Sequence, residues 1–228
     1  MSSEIPFLKE RLAEAARYAL MRRLLPAIRH NIAGTLQPIG MMSAMLERRM
    51  KVASPDLAVL GKSTQALTAL SREAAATSLG LMTWLAPRDN DLVAVNSAVE
   101  ESLDLMSTEL SFRGFSVVNQ TADVLTELPK GILRSVFTAG LIALTDSVEG
   151  AASVVVSATV EAGDIRLKIT LEPGGTAELV AMGNRMPTYR ALQWADVQAV
   201  ADAEGVSLKY APDCVQLHYF AVISASAG

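Results

Sequence analysis

The sequence is poor in the residues that most often carry chemistry. One cysteine, Cys214, and two histidines, His30 and His218, occur in 228 residues. A single cysteine excludes an intrachain disulfide framework and suits a reducing compartment. Cys214 has no cysteine or histidine neighbour at metal-ligand spacing, and His218, four residues on along an expected strand, makes a weak pair with it. Basic residues do not dominate: 20 Lys and Arg against 24 Asp and Glu give a net charge of −4, which argues against a nucleic-acid platform. No apolar run approaches the ~20 residues that span a bilayer. The opening Met1-Ser2-Ser3-Glu4 lacks the basic start and apolar core of a secretory signal. The expectation is a cytoplasmic protein with no membrane contact and no sensor region ahead of its first helix.

What is present is helix-forming sequence. From about Phe7 to Met50 the pattern is helical, with Leu25, Ile28, Ile32, Leu36 or Thr35, Ile39, Met42 and Leu46 alternating by threes and fours. Pro26 and Pro38 predict kinks and a break before Pro26. Ser54-Pro55 predicts an N-cap followed by proline at the first position of a second helix, which runs to about Leu85. Its expected seam is Leu57, Leu60, Thr64, Leu67, Ser71, Ala74, Ser78, Leu81 and Leu85. Two such helices joined by a short turn form an antiparallel hairpin, and burying both seams predicts pairing of two hairpins in a homodimeric four-helix bundle.

Residues 87–91, Pro-Arg-Asp-Asn-Asp, are a polar linker between an expected hairpin domain (1–86) and a second domain (92–228). Beyond it the pattern predicts a helix closed by Arg113-Gly114, a strand over Phe115 to Asn119, and a helix through Leu133 to Val148. Two strands follow, the second with Ile165, Leu167, Ile169 and Leu171 on one face and Arg166, Lys168 and Thr170 on the other. A helix from about Tyr189 to Glu204 and strands around Val206–Tyr210 and Val215–Ile223 complete the chain. Helices on one face of a mostly antiparallel sheet make this an α+β domain.

His30 is the residue with chemical promise. It lies two residues from both Ile28 and Ile32, about 200° around the helix at ~100° per residue, so it faces solvent. An exposed imidazole is commonly an ordinary surface residue; it can also accept a phosphoryl group from a partner protein. His218, on the polar side of its strand with Gln216, reads as a solvated sheet residue rather than a second phosphoacceptor.

The run His30-Asn31-Ile32-Ala33-Gly34-Thr35-Leu36-Gln37-Pro38-Ile39, followed by the element order above, resembles the core of bacterial two-component histidine kinases, over about residues 20 to 223. Their core is a dimerisation and phosphotransfer hairpin followed by an ATP-binding domain of the GHKL type, a Bergerat α/β sandwich. The departures from that pattern decide what the resemblance implies. Ala139 and Ala143 stand where the kinases place asparagines for Mg²⁺ and phosphates, and a methyl group cannot ligate a hard cation. Leu171 stands where an aspartate reads adenine, and the stretch Arg190-Ala191-Leu192-Gln193-Trp194 has no glycine to bring backbone N–H groups onto phosphates. Asn31 replaces the carboxylate that helps deprotonate the histidine, and Gly34 stands where phosphatase-competent kinases carry Thr or Asn.

A degenerate ATP domain behind an intact histidine resembles the histidine phosphotransferases of bacterial phosphorelays. The resemblance implies His30 as phosphoacceptor, Asn31 as an orienting residue, no cofactor of its own, response-regulator receiver domains as partners, and Mg²⁺ supplied only by the receiver. A receiver would dock on Arg23, Ala27, Arg29, Ala33, Gly34, Gln37 and Met41. The alternatives are a non-enzymatic pseudokinase that binds and regulates a kinase or response regulator, and a nucleotide site with unusual ligands.

Overall fold

The computed structural model describes residues 4–85, 91–148, 150–173 and 191–220. The described residues form five helices, α1 (Glu4–Met50), α2 (Leu57–Leu85), α3 (Val95–Phe112), α4 (Lys130–Asp146) and α5 (Trp194–Ala203), and seven strands. The strands are β1 (Leu92–Ala94), β2 (Phe115–Gln120), β3 (Glu127–Pro129), β4 (Ala152–Glu161), β5 (Asp164–Pro173), β6 (Ser207–Ala211) and β7 (Cys214–Tyr219). No described helix is long and apolar enough to cross a membrane.

Two compact units share α1. One is the hairpin from Leu25 through α2; the other joins α1 up to Leu24 with the residues after the linker. The division thus falls inside α1, whereas the sequence pattern assigned all of 1–86 to the hairpin. Helix α1 passes through Pro26 and Pro38 without a break. Each proline removes one i→i−4 hydrogen bond, a local loss that the long flanking helix absorbs.

The start of α2 differs from expectation as well. Asp56, not Ser54, is the cap: its Oδ1 accepts hydrogen bonds from the N–H groups of Ala58 (2.9 Å) and Val59 (3.2 Å). Pro55 therefore lies ahead of the cap. Within the hairpin, Leu60, Ser63, Leu67, Leu70, Ala74, Thr77 and Leu81 of α2 are buried or half-buried, while Leu57 is 80% exposed and Thr64 and Ser71 are exposed. Three of the nine expected seam positions, Leu57, Thr64 and Ser71, thus face outward, while Leu60, Leu67, Ala74, Ser78 and Leu81 face inward as expected; the side chain of Leu85 lies outside the described residues. A 3.6-residue repeat allows a step of three or four, and the small polar residues at both candidate phases do not discriminate between them.

In the second unit a five-stranded sheet has the order β2-β4-β5-β7-β6, with β2 parallel to β4 and every other pairing antiparallel. The alternation in β5 is as the sequence predicts. Ile165, Leu167, Ile169 and Leu171 are buried, Arg166 and Lys168 exposed. Ala162 and Gly163, at φ of +52° and +89°, make the tight two-residue turn that joins β4 to β5. A short antiparallel pair, β1 with β3, is too brief to leave a periodic signal in sequence. The helix before β6 begins at Trp194 rather than Tyr189, because Gln193 and Asp196 form a reciprocal capping box there.

Helix α4 is the centre of this unit. Leu133, Val136, Phe137, Ala139, Leu141, Ile142, Ala143 and Leu144 are all buried, so the helix is apolar around nearly its whole circumference, as a core helix must be. Gly140 faces β7: a methyl added there would lie 3.6 Å from Val215 Cγ1, an ordinary van der Waals contact. Gly114 has φ +81°, and a Cβ there would meet Ala151 Cβ at 3.2 Å.

The two glycines should respond oppositely to alanine. Gly140→Ala is expected to stabilise the second unit by up to about 1 kcal/mol, the helix-propensity gain. Gly114→Ala is expected to destabilise it by about 1 kcal/mol or more, from the left-handed backbone and the crowding. Urea unfolding of the two variants checks both signs.

Candidate functional site

His30 is exposed on α1, between buried Ile28 and half-buried Ile32. Thr35 faces the same inner side and donates from Oγ1 to the Ile32 carbonyl at 3.0 Å. On the outer side Arg29, Ala33, Gly34, Gln37 and Met41 are exposed together with His30, while Ala27 and Asn31 are half-buried. The imidazole is therefore carried by a helix whose opposite face is packed. Its neighbours at helical spacing, Ala33 and Gly34, present almost no side chain. A Cβ built on Gly34 meets nothing within 4 Å, so no packing among the described residues requires glycine there. In a helix interior glycine costs about 1 kcal/mol relative to alanine.

Arg23 does not belong with this group, which corrects the docking role expected for it. Its side chain is only 8% exposed and is spent on two carboxylates. Nη1 donates to Glu109 Oε2 at 2.8 Å, Nη2 bonds Glu109 Oε1, and Nη2 donates to Asp146 Oδ1 at 3.2 Å. Burial alone would push the guanidinium pKa down, but the two acidic partners outweigh it and hold the group firmly protonated. Arg113 completes the cluster, donating to Asp146 Oδ1 at 2.7 Å and to the Thr145 carbonyl at 2.6 Å. Sequence spacing carried no sign of this cluster, because Arg23 meets residues 86 and 123 positions away.

Ala139, Ala143 and Leu171, singled out in the sequence, are all withdrawn from solvent. Ala139 and Ala143 are 1% and 3% exposed on α4, and Leu171 is 8% exposed on β5, its N–H donating to the Asp213 carbonyl at 2.8 Å. All three are packing residues. In the stretch expected to lack a glycine-rich turn, Leu192 is buried and Gln193 caps α5; Arg190 lies outside the described residues. Among the described residues no three or more His, Cys, Asp or Glu gather as a metal site. His218 is half-buried rather than simply solvated. Its Nε2 lies 3.0 Å from Asp164 Oδ2, and its ring sits 4.2 Å from that of Phe220.

No family model and no curated protein matches the sequence. Solved structures that it resembles are histidine kinases. They include Acinetobacter baumannii histidine kinase AdeS (20% identity, 78% of this chain and 93% of that chain, TM-score 0.44) and a histidine kinase from Burkholderia phymatum (14%, 84% and 95%, 0.41). A bacterial phosphotransferase is similar over 87% of this chain and 94% of its own, at 15% identity and a TM-score of 0.40. These identities and scores describe a distant likeness of fold and transfer no residue's role to this chain.

If His30 has no structural duty, His30→Ala should leave thermal stability unchanged within about 0.5 kcal/mol, as for surface substitutions generally. Scanning calorimetry of the variant beside the parent chain checks this.

Proposed function

We propose that this chain is a histidine phosphotransfer protein of a two-component pathway, built on a histidine-kinase-like core that does not bind ATP. The observation that carries the proposal is the exposed His30 beside Ala33 and the unexplained Gly34 on the outer face of α1. A helical glycine with open space beside it is accounted for if a second molecule must approach the helix closely. The partner is a receiver domain of a response regulator. The neutral imidazole attacks the phosphorus of the receiver's aspartyl phosphate in line; the N–P bond forms, the acyl P–O bond breaks, and the aspartate leaves as carboxylate. A second receiver aspartate reverses these steps. The receiver supplies Mg²⁺ to balance charge on the transferring group. Asn31 can orient the ring but takes no proton.

The absence of ATP chemistry is supported by Ala139, Ala143 and Leu171, whose side chains can neither coordinate a cation nor hydrogen-bond a base. Pairing of two hairpins into a four-helix bundle is supported by apolar side chains that the single hairpin leaves in water. Leu36 (51% exposed), Leu57 (80%), Leu79 (63%) and Met82 (61%) stand out, and large apolar side chains left in water along a helical hairpin favour association with a second copy.

Incubation with a phosphorylated receiver should move label onto the chain in an acid-labile, base-stable form, and His30→Ala should abolish the transfer. Gly34→Ala should slow transfer about tenfold or more while stabilising the hairpin by up to about 1 kcal/mol. Binding of the receiver without label transfer would replace this proposal with a non-catalytic regulator. Saturable micromolar binding of Mg²⁺ and ATP by calorimetry would refute the nucleotide-free reading. Light scattering should give twice the chain mass, reduced to one by Leu79→Glu with Met82→Glu.

A further inference from the structure

Residues 13–24 of α1 are held against the second unit through a small apolar strip and a concentrated set of charges. Ala13, Ala16, Leu20 and Leu24 are at most 4% exposed, and two of these four are alanines, so little apolar area is buried. Within this segment Tyr18, and in the helical turns just before it Phe7, Leu8 and Leu12, are each more than half exposed. Its polar contacts include Arg17 Nη2 with Glu204 Oε1 at 2.5 Å and the Arg23 cluster with Glu109, Asp146 and Arg113.

The carboxylates of that cluster are badly placed unless arginine covers them. Glu109 lies in the last turn of α3 and Asp146 is the last residue of α4, where the helix dipole disfavours negative charge. With both arginines present the cluster is neutral, two guanidinium groups for two carboxylates. Without Arg23 a single guanidinium, Arg113, is left for both, 2.7 Å from Asp146 and 3.5 Å from Glu109. The surplus carboxylate then gains from water, and water reaches it when the α1 segment lifts. The core of α4 has no such dependence, since Leu133 to Leu144 pack against sheet and helices.

We infer that Glu109 and Asp146 form an arginine socket that fastens residues 7–24 of α1, and that Arg23 is the fastening whose loss frees this segment while α4 and the sheet stay folded. The segment is a detachable strap. It continues without interruption into the helix that carries His30, seven residues beyond Arg23. Only its relevance to transfer rests on the function proposed above; the strap itself does not.

Hydrogen exchange by mass spectrometry on the full chain tests the strap. In Arg23→Met, peptides covering 7–24 should exchange about tenfold faster or more, while peptides covering 133–144 change less than about twofold. Arg23→Lys keeps the charge but loses the planar fork, and should give a smaller rise in the same peptides. Arg23→Met combined with Glu109→Gln removes the surplus carboxylate and should restore most of the protection, a coupling that lost packing alone would not produce. The inference is overturned if 7–24 does not respond in Arg23→Met, if 7–24 and 133–144 rise together, or if Glu109→Gln gives no rescue. The exchange result stands whether or not His30 takes label; a labelled His30 with an unresponsive strap would remove the strap alone.

Discussion

Burial of α4 on nearly every side is the constraint from which the rest of the second unit follows. A helix that buries Val136, Phe137, Ala139, Leu141, Ile142, Ala143 and Leu144 together supplies apolar packing on nearly every side, and the sheet and the other helices of the unit are arranged around it. Gly140 of this helix faces β7 with room for a methyl group. Toward its two ends the contacts turn from apolar to ionic: Arg134 meets Glu101 near the start, and Asp146 meets Arg23 and Arg113 at the finish.

The hairpin shows the opposite economy. Its intrachain seam is thin, with Ser63, Ala74 and Thr77 among the inward residues, and larger apolar side chains remain in water. Gly34, Gly40, Gly61 and Gly80 all have open space beside them among the described residues, and the proposed dimer and receiver contacts would draw on these uncovered faces. The chemistry asked of the protein is small. It needs an accessible imidazole on a rigid helix, because in the proposed transfer the phosphoryl donor, the metal and the leaving group all belong to the partner.

Much of this was legible in the sequence because it is local. Strand β5 alternates with a period of two, and α3 closes at Arg113-Gly114 because only glycine takes the positive φ there without strain. The exposure of His30 follows from its angle to Ile28 and Ile32 on one helix. Other features were not legible for equally physical reasons. The α2 seam depends on whether Ser63 or Thr64 turns inward, a choice between two small polar residues that intrinsic preference does not make. Asp56 and Ser54 are both good caps, and only the path of the chain selects Asp56.

The sequence by itself determined the helical hairpin, the α+β order of the second unit, the outward histidine and the apolar character of Ala139, Ala143 and Leu171, since periodicity and side-chain chemistry are properties of neighbouring residues. Only the tertiary structure decided that α1 is shared between two units and that Arg23 is a buried fastening rather than part of an exposed face. Its partners, Glu109 and Asp146, are brought to it by folding, and attraction between charges so far apart along the chain leaves no trace in spacing or composition.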